Sequence, residues 1–297
     1  MAAPRRSGLA YRVLRGDGHN PGIAAKPVIE IAPSRGRYVH VPLRELLERR
    51  EVALMLALRE LKLRYKQTLL GVAWVIVQPL AGVVVFSVLF GTVADLPSDG
   101  LPYPVFVFSG LLVWSYFQTS VASATQSLVE SRELVTKIYF PRLLVPLAAV
   151  LPRLIDLGIA LVVLAGVMIV YGVAPGPAIV LFPLALALTI VFTLGVGLWL
   201  SAFHVRFRDA GVAITFVLQL WLYVSPVVFP SSLPEGWLRI LLSVNPVTGL
   251  VDLARWTLVG APPPPPADLI SLGVGVAVVL GGLLYFGRAE RRFADLI

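Results

Sequence analysis

Arg153 and Asp156 stand three residues apart inside an apolar run, and they are the only charges within the long hydrophobic stretches of this 297-residue chain. On a helix that spacing puts both on one face, where mutual neutralisation lowers an insertion cost of roughly 2.5–3.5 kcal/mol per unpaired charge. A helix from Leu157 to Tyr171 rises only about 22 Å, less than a bilayer core, so the pair must lie in or just inside the cytoplasmic leaflet. It is either a self-satisfied structural pair or a functional one, a contact for a polar substrate or a clamp from helix to helix. Catalytic chemistry finds little else. None of Lys26, Lys62, Lys66 and Lys137 follows a glycine, so there is no phosphate-cradling Gly-Lys-Ser/Thr loop and ATP hydrolysis on this chain is not expected. His19, His40 and His204 have no partner at metal-ligand spacing, and cysteine is absent, so no metal site and no disulfide is expected. Without an Asp-x-Asp pair or space for a cytosolic catalytic domain, a glycosyltransferase is not expected either.

Aromatic residues recur within and near the ends of the apolar runs: Trp74, Trp114, Tyr116, Phe117, Trp199, Trp221, Tyr223 and Phe229. Most such side chains anchor helices at the interface, but flat rings lining a conduit would also stack on sugars without trapping them. The segment Ser127–Arg142 reads SLVESRELVTKIYFPR. Ser127 with Glu130 has the spacing of a capping box that opens a short cytosolic helix, which Pro141 closes. Leu134, Ile138, Tyr139 and Phe140 would then be apolar groups in the cytoplasm, rimmed by Glu130, Arg132, Glu133 and Lys137, a pattern suited to a protein partner.

The elements that must position these groups are membrane helices. Hydrophobic residues make up 57% of the chain and charged residues 14%, which is outside the range of soluble domains. Six spans are expected, at 69–94, 103–125, 143–171, 178–203, 210–229 and 269–287, since about 20 helical residues cross a bilayer. All but three of the 25 Lys and Arg, the exceptions being Arg153, Arg239 and Arg255, fall on one side of this arrangement. The positive-inside rule places both termini in the cytoplasm, and charge at span ends suits a membrane surface rather than nucleic acid. Residues 1–40, rich in Arg, Pro and Gly, read as a flexible cytosolic tail, and 41–68 as an interfacial amphipathic helix ahead of the six-span domain at 69–297. In the last outer loop, 233–244 and 247–259 are apolar but too short to cross alone, and Asn245-Pro246 breaks them apart. A re-entrant helical hairpin capping a cavity is expected there. Gly195, Gly197, Ser201, Gly273, Ala277 and Gly281 are expected to allow close helix packing.

The sequence from Arg64 to Trp74, RYKQTLLGVAW, running on to Gln78-Pro79, resembles the entry to the first span of type-2 ABC exporter permeases. It is most similar to those that export O-antigen, teichoic acid and related polysaccharides. Tyr139-Phe140-Pro141-Arg142, Ser225-Pro226-Val227-Val228-Phe229-Pro230 and Asn245-Pro246 match the same pattern. The resemblance implies an all-α permease in the cytoplasmic (inner) membrane, homodimeric, seated on a separate cytosolic ATPase that holds Mg-ATP, with no cofactor of its own. It implies a coupling helix at 130–142, and a cargo of glycan on undecaprenyl diphosphate. Arg64, Tyr65, Lys66 and Trp74 would lie at the cytosolic gate, where cations could meet a pyrophosphate or merely anchor the chain. Asn245 and Pro246 would help close the exit. A drug or small-lipid exporter of the same superfamily is the nearest alternative, and a secondary transporter the next, although inverted repeats and several buried ionisable groups are not evident.

Overall fold

The computed structural model describes residues 11–13, 29–31, 48–65, 73–137, 140–207, 209–290 and 293. Residues 1–40 and 41–297 form separate units. In the first, strands β1 (Tyr11–Val13) and β2 (Ile29–Ile31) pair antiparallel, with Arg12 opposite Glu30. That ladder is a feature the expectation of a flexible tail did not include.

The second unit is helical. Helix α1 (Arg50–Tyr65) buries Ala53 and Ala57, with Val52 and Leu56 packed beside them, while Leu54, Met55 and Leu58 point outward. Small residues let α1 lie close against α5 (Leu144–Val150), and the outward leucines leave a second apolar face for lipid. Helix α2 (Ala73–Phe86) contains Pro79 and continues as a π-helical run, Ser87–Val93. A proline inside a helix removes one backbone donor, and the wider turn accommodates the irregular bonding.

Helix α3 (Tyr103–Glu130), 28 residues long, is the pillar: 78% of its most apolar window is buried, against 6% for the α2 span. Around it stand α6 (Arg153–Val170), reached from α5 through a turn at Leu151-Pro152, and α7 (Phe182–Arg206), entered by a 3₁₀ turn at Pro177–Leu181. The other elements are α4 (Arg132–Lys137), α8 (Ala210–Tyr223), α9 (Trp237–Val244), α10 (Pro246–Val259) and α11 (Asp268–Ala289). Backbones approach closely where side chains are missing. A methyl group at Gly195 would stand 2.7 Å from Val279 Cα on α11, the small-residue packing expected for membrane helices. Gly273 takes no part in this, since nothing lies within 4 Å of such a methyl group.

Among the described residues, five helical stretches are long and apolar enough to cross a membrane, and a sixth forms if the bent α9–α10 pair counts as one. The expected fifth span is shorter than its apolar run: α8 has 14 residues, a rise of about 21 Å, and Val224–Phe229 continue as turns. The helix α9–α10 breaks by 81° at Asn245, the bend that a helix-breaking Asn-Pro step dictates.

Candidate functional site

Asn245 holds the bend of the hairpin by using all its polar atoms. Its Oδ1 accepts from the Val247 amide at 3.1 Å, capping α10, and from Trp221 Nε1 at 3.0 Å. Its Nδ2 donates to Ser225 Oγ at 3.0 Å and to the Val224 carbonyl at 3.3 Å. Its own carbonyl accepts from Ser271 Oγ at 2.6 Å, while that oxygen accepts from the Gly249 amide at 2.9 Å. One residue therefore ties α8, α10 and α11 together, with Pro246 at the first helical position, where its missing N–H costs nothing.

Arg255 is the second anchor, although its place in the sequence reads as a loop charge on the outer side. It is 1% exposed. Its Nη1 donates to the Pro226 carbonyl at 2.7 Å and its Nη2 to that of Val227 at 2.6 Å, which fastens the turn after α8. The guanidinium lies 3.7 Å from the Phe106 ring centroid and 3.5 Å from Asp252 Oδ1. A guanidinium stays charged, so its burial is tolerated only with such partners. Gly110 on α3 makes room for it, since a methyl group there would stand 2.6 Å from Arg255 Nη2. Partial burial raises the carboxyl of Asp99, in the loop before α3, above its ordinary value, and Arg255 pulls it partly back.

At the opposite end of α3 lie the groups expected to couple to a partner. The short helix is present, but it begins at Arg132 rather than with a cap at Ser127. Ser127 sits inside α3, its hydroxyl donating to the Ala124 carbonyl at 2.7 Å, and Glu130 is the last residue of that helix. Arg132, Glu133 and Thr136 lie on α4, with Glu133 and Thr136 exposed or partly so, and Lys137 ends it. Phe140 is turned inward, 7% exposed, against Leu128, Leu144, Val145 and Phe286. Burying an apolar ring outweighs displaying it to a partner, so Phe140 anchors the loop instead of docking it. Arg142 is likewise engaged: its amide donates to Glu290 Oε1 at 3.0 Å, its Nη1 donates to the Glu290 carbonyl, and its guanidinium stands 6.0 Å from the Phe293 ring. Ile138, Tyr139 and Lys66 lie outside the described residues. Arg64 and Tyr65 close α1, and Trp74 near the start of α2 is 49% exposed.

The intramembrane pair is a clamp. Arg153 Nη1 lies 3.8 Å from Asp156 Oδ2, and its Nε and Nη2 both donate to Ser123 Oγ on α3, at 3.0 and 2.5 Å. Asp156 falls in the first turn of α6, where the helix dipole favours a carboxylate.

Most of the aromatic candidates belong to the core, not to a conduit. Trp114, Tyr116 and Phe117 are 1%, 4% and 1% exposed. The Phe117 ring stacks on Phe192 at 5.4 Å and meets Trp221 edge-on at 5.4 Å, so Trp221 both packs here and serves Asn245. Trp199 is fixed by stacking on Tyr285 at 4.8 Å and by donating Nε1 to the Val278 carbonyl. Tyr223, 62% exposed, faces outward. Periodicity cannot separate a buried ring from a channel-lining one, because both are apolar positions on a membrane helix.

Residues 51–259, which contain the α4 loop, both clamps and the hairpin, match the family described as ABC-2 type transporter. The chain belongs to the ABC-2 type transporter family. It is similar to the O-antigen export system permease protein RfbA of Myxococcus xanthus, 30% identical over 86% of this chain and 98% of that protein. It is also similar to RfbA of Klebsiella pneumoniae, 25% identical over 80% of this chain and 92% of that protein. The polysialic acid transport protein KpsM of Escherichia coli is 25% identical over 67% of this chain and 78% of its own length. As an ABC-2 transporter membrane subunit, this chain pairs with an ABC ATPase and works within a membrane.

Proposed function

We propose that this chain is the permease subunit of an ATP-driven exporter that moves a lipid-linked polysaccharide, O-antigen-like or teichoic-acid-like and carried on undecaprenyl diphosphate, across the cytoplasmic membrane. The observation that carries this reading is the similarity over nearly the whole length of a permease named for O-antigen export. Two copies form the translocation path, both termini lie in the cytoplasm, and hydrolysis of Mg-ATP takes place on the partner ATPase. Helix α4 is the coupling element: Arg132 and Glu133 present opposite charges to the partner, and Arg142 ties the loop to Glu290 beyond α11. A push on α4 is thereby delivered to the last span. Arg64 and Lys66 are the cations that would meet the diphosphate, with Tyr65 and Trp74 in the same stretch of sequence. The hairpin pinned by Asn245 and Arg255 closes the far end.

Deleting the gene tests the cargo. Surface polysaccharide is expected to disappear while lipid-linked glycan accumulates inside, with both restored by the intact chain. A null strain that still displays its surface glycan would overturn the proposal.

A further inference from the structure

An open pocket of about 80 Å³ lies where α1 meets the α4 end of α3 and the first turns of α5. That is smaller than the ~300–1,000 Å³ that encloses a whole small ligand, and its open mouth leaves the rest of a larger molecule outside. Leu56, Val145, Ala148 and Ala149 give it an apolar wall, and Ser123, Ser127 and Ser131 a hydroxyl-bearing one. The charged residues among those lining it are Arg59, Glu60 and Glu130, one guanidinium against two carboxylates. Ser123 accepts twice from Arg153, which leaves its hydroxyl proton for a further acceptor. Arg153 brings no net charge to the wall, because Asp156 offsets it.

This combination selects among lipids. A diphosphate would face two carboxylates, so the cavity is unsuited to the cargo headgroup proposed to meet Arg64 and Lys66. A purely anionic phospholipid is disfavoured for the same reason. A headgroup carrying one phosphodiester and one primary ammonium satisfies both signs, with phosphate oxygens on Arg59 and Ser123 and ammonium N–H donors on Glu60 and Glu130. The apolar wall then receives the start of the acyl chains, at the depth where α1 displays Leu54 and Leu58 to the membrane. We propose that the cavity between α1, α3 and α5 binds the headgroup of an ammonium-bearing phospholipid, of the phosphatidylethanolamine type. The site goes beyond the transport reading and does not depend on which glycan is carried.

Native mass spectrometry of the full-length chain tests this after release from vesicles holding equal parts of phosphatidylethanolamine, its N-trimethylated counterpart phosphatidylcholine, and phosphatidylglycerol. The intact protein should keep phosphatidylethanolamine preferentially, because a quaternary ammonium offers no N–H to the carboxylates. Glu60→Gln with Glu130→Gln should cut that retention about fivefold, the upper end for a solvent-accessible ion pair, and should leave phosphatidylglycerol retention no lower. Equal retention of all three lipids by the unmodified chain, or retention unchanged by the two substitutions, would overturn the proposal. The headgroup comparison on the unmodified chain decides the matter even if the double variant does not fold.

Discussion

A guanidinium shut away from water must be met by fixed acceptors, and Arg255 finds two carbonyl oxygens, a carboxylate and an aromatic face. Removing one partner of such a buried set costs about 3–5 kcal/mol, since the others are left uncompensated. Arg255→Ala is therefore expected to lower the unfolding temperature of the purified chain sharply. Arg255→Lys should recover little, because an ammonium cannot span both the Pro226 and Val227 carbonyls as a fork does. A melting curve within error of the parent for Arg255→Ala would refute the clamp. The sequence holds the signal for it: Asp252 and Arg255 have the same i,i+3 spacing as Arg153 and Asp156. That signal is masked because Asn245-Pro246 divides the run into pieces too short to cross, so their charges read as loop charges. The opposite holds at Ser127 and Glu130, whose capping-box spacing falls inside a continuous helix. There the hydroxyl turns back to the Ala124 carbonyl instead of capping an amide.

Among the helices, the hairpin and the α4 loop are the elements proposed to carry the function, and they differ in how they are fixed. Asn245→Ala removes the α10 cap, typically worth about 1 kcal/mol, together with the links to Trp221 and Ser225. The expected outcome is faster protease cleavage within residues 237–259 at a temperature where the remainder stays resistant, and unchanged cleavage would deny the keystone role. In the α4 loop, exposure separates docking from anchoring. Reversing the charges with Arg132→Glu and Glu133→Arg should reduce co-purification of the ATPase while leaving the melting temperature alone. Phe140→Ala should do the reverse, with a loss of about 3–5 kcal/mol typical for a buried ring. Should Phe140→Ala abolish ATPase binding without altering stability, the inward assignment would be wrong. The hairpin was legible in the Asn-Pro break, and the short helix was expected ahead of Pro141, although the capping box from which it was read lies inside α3. Which apolar side chains face inward was not, since that depends on neighbours distant in the chain.

For the protein as a unit, the contrast between α3 and α2 is informative. The α2 span leaves Val84, Val85, Val88 and Leu89 at least half exposed, an apolar face free for lipid or for a second copy. The chain lacks cysteine, so single introduced thiols report on the choice cleanly. Val84→Cys or Val88→Cys is expected to give a disulfide-linked dimer under mild oxidation in native membranes, and Val162→Cys on α6 to stay monomeric. Crosslinking at Val162 alone would relocate the contact between copies. Five of the six expected spans were readable, because length and hydropathy set them. The end of α8 was also signalled, by Pro226, which disfavours helix at the residue before it, but the apolar residues on either side carried the expected span on to Phe229; the carbonyls of Pro226 and Val227, committed to Arg255, then hold the turn.

The two arginine clamps grip α3 near opposite ends, Arg255 beside Phe106 and Gly110, Arg153 at Ser123, roughly 20 Å apart along its axis. Gripped at both ends, α3 behaves as a stator. The clamps tie α6, the hairpin and the turn after α8 to it, whereas α2 carries no such clamp. A spectroscopic label on α3 is therefore expected to serve as the origin from which excursions of α2 can be read during ATP turnover.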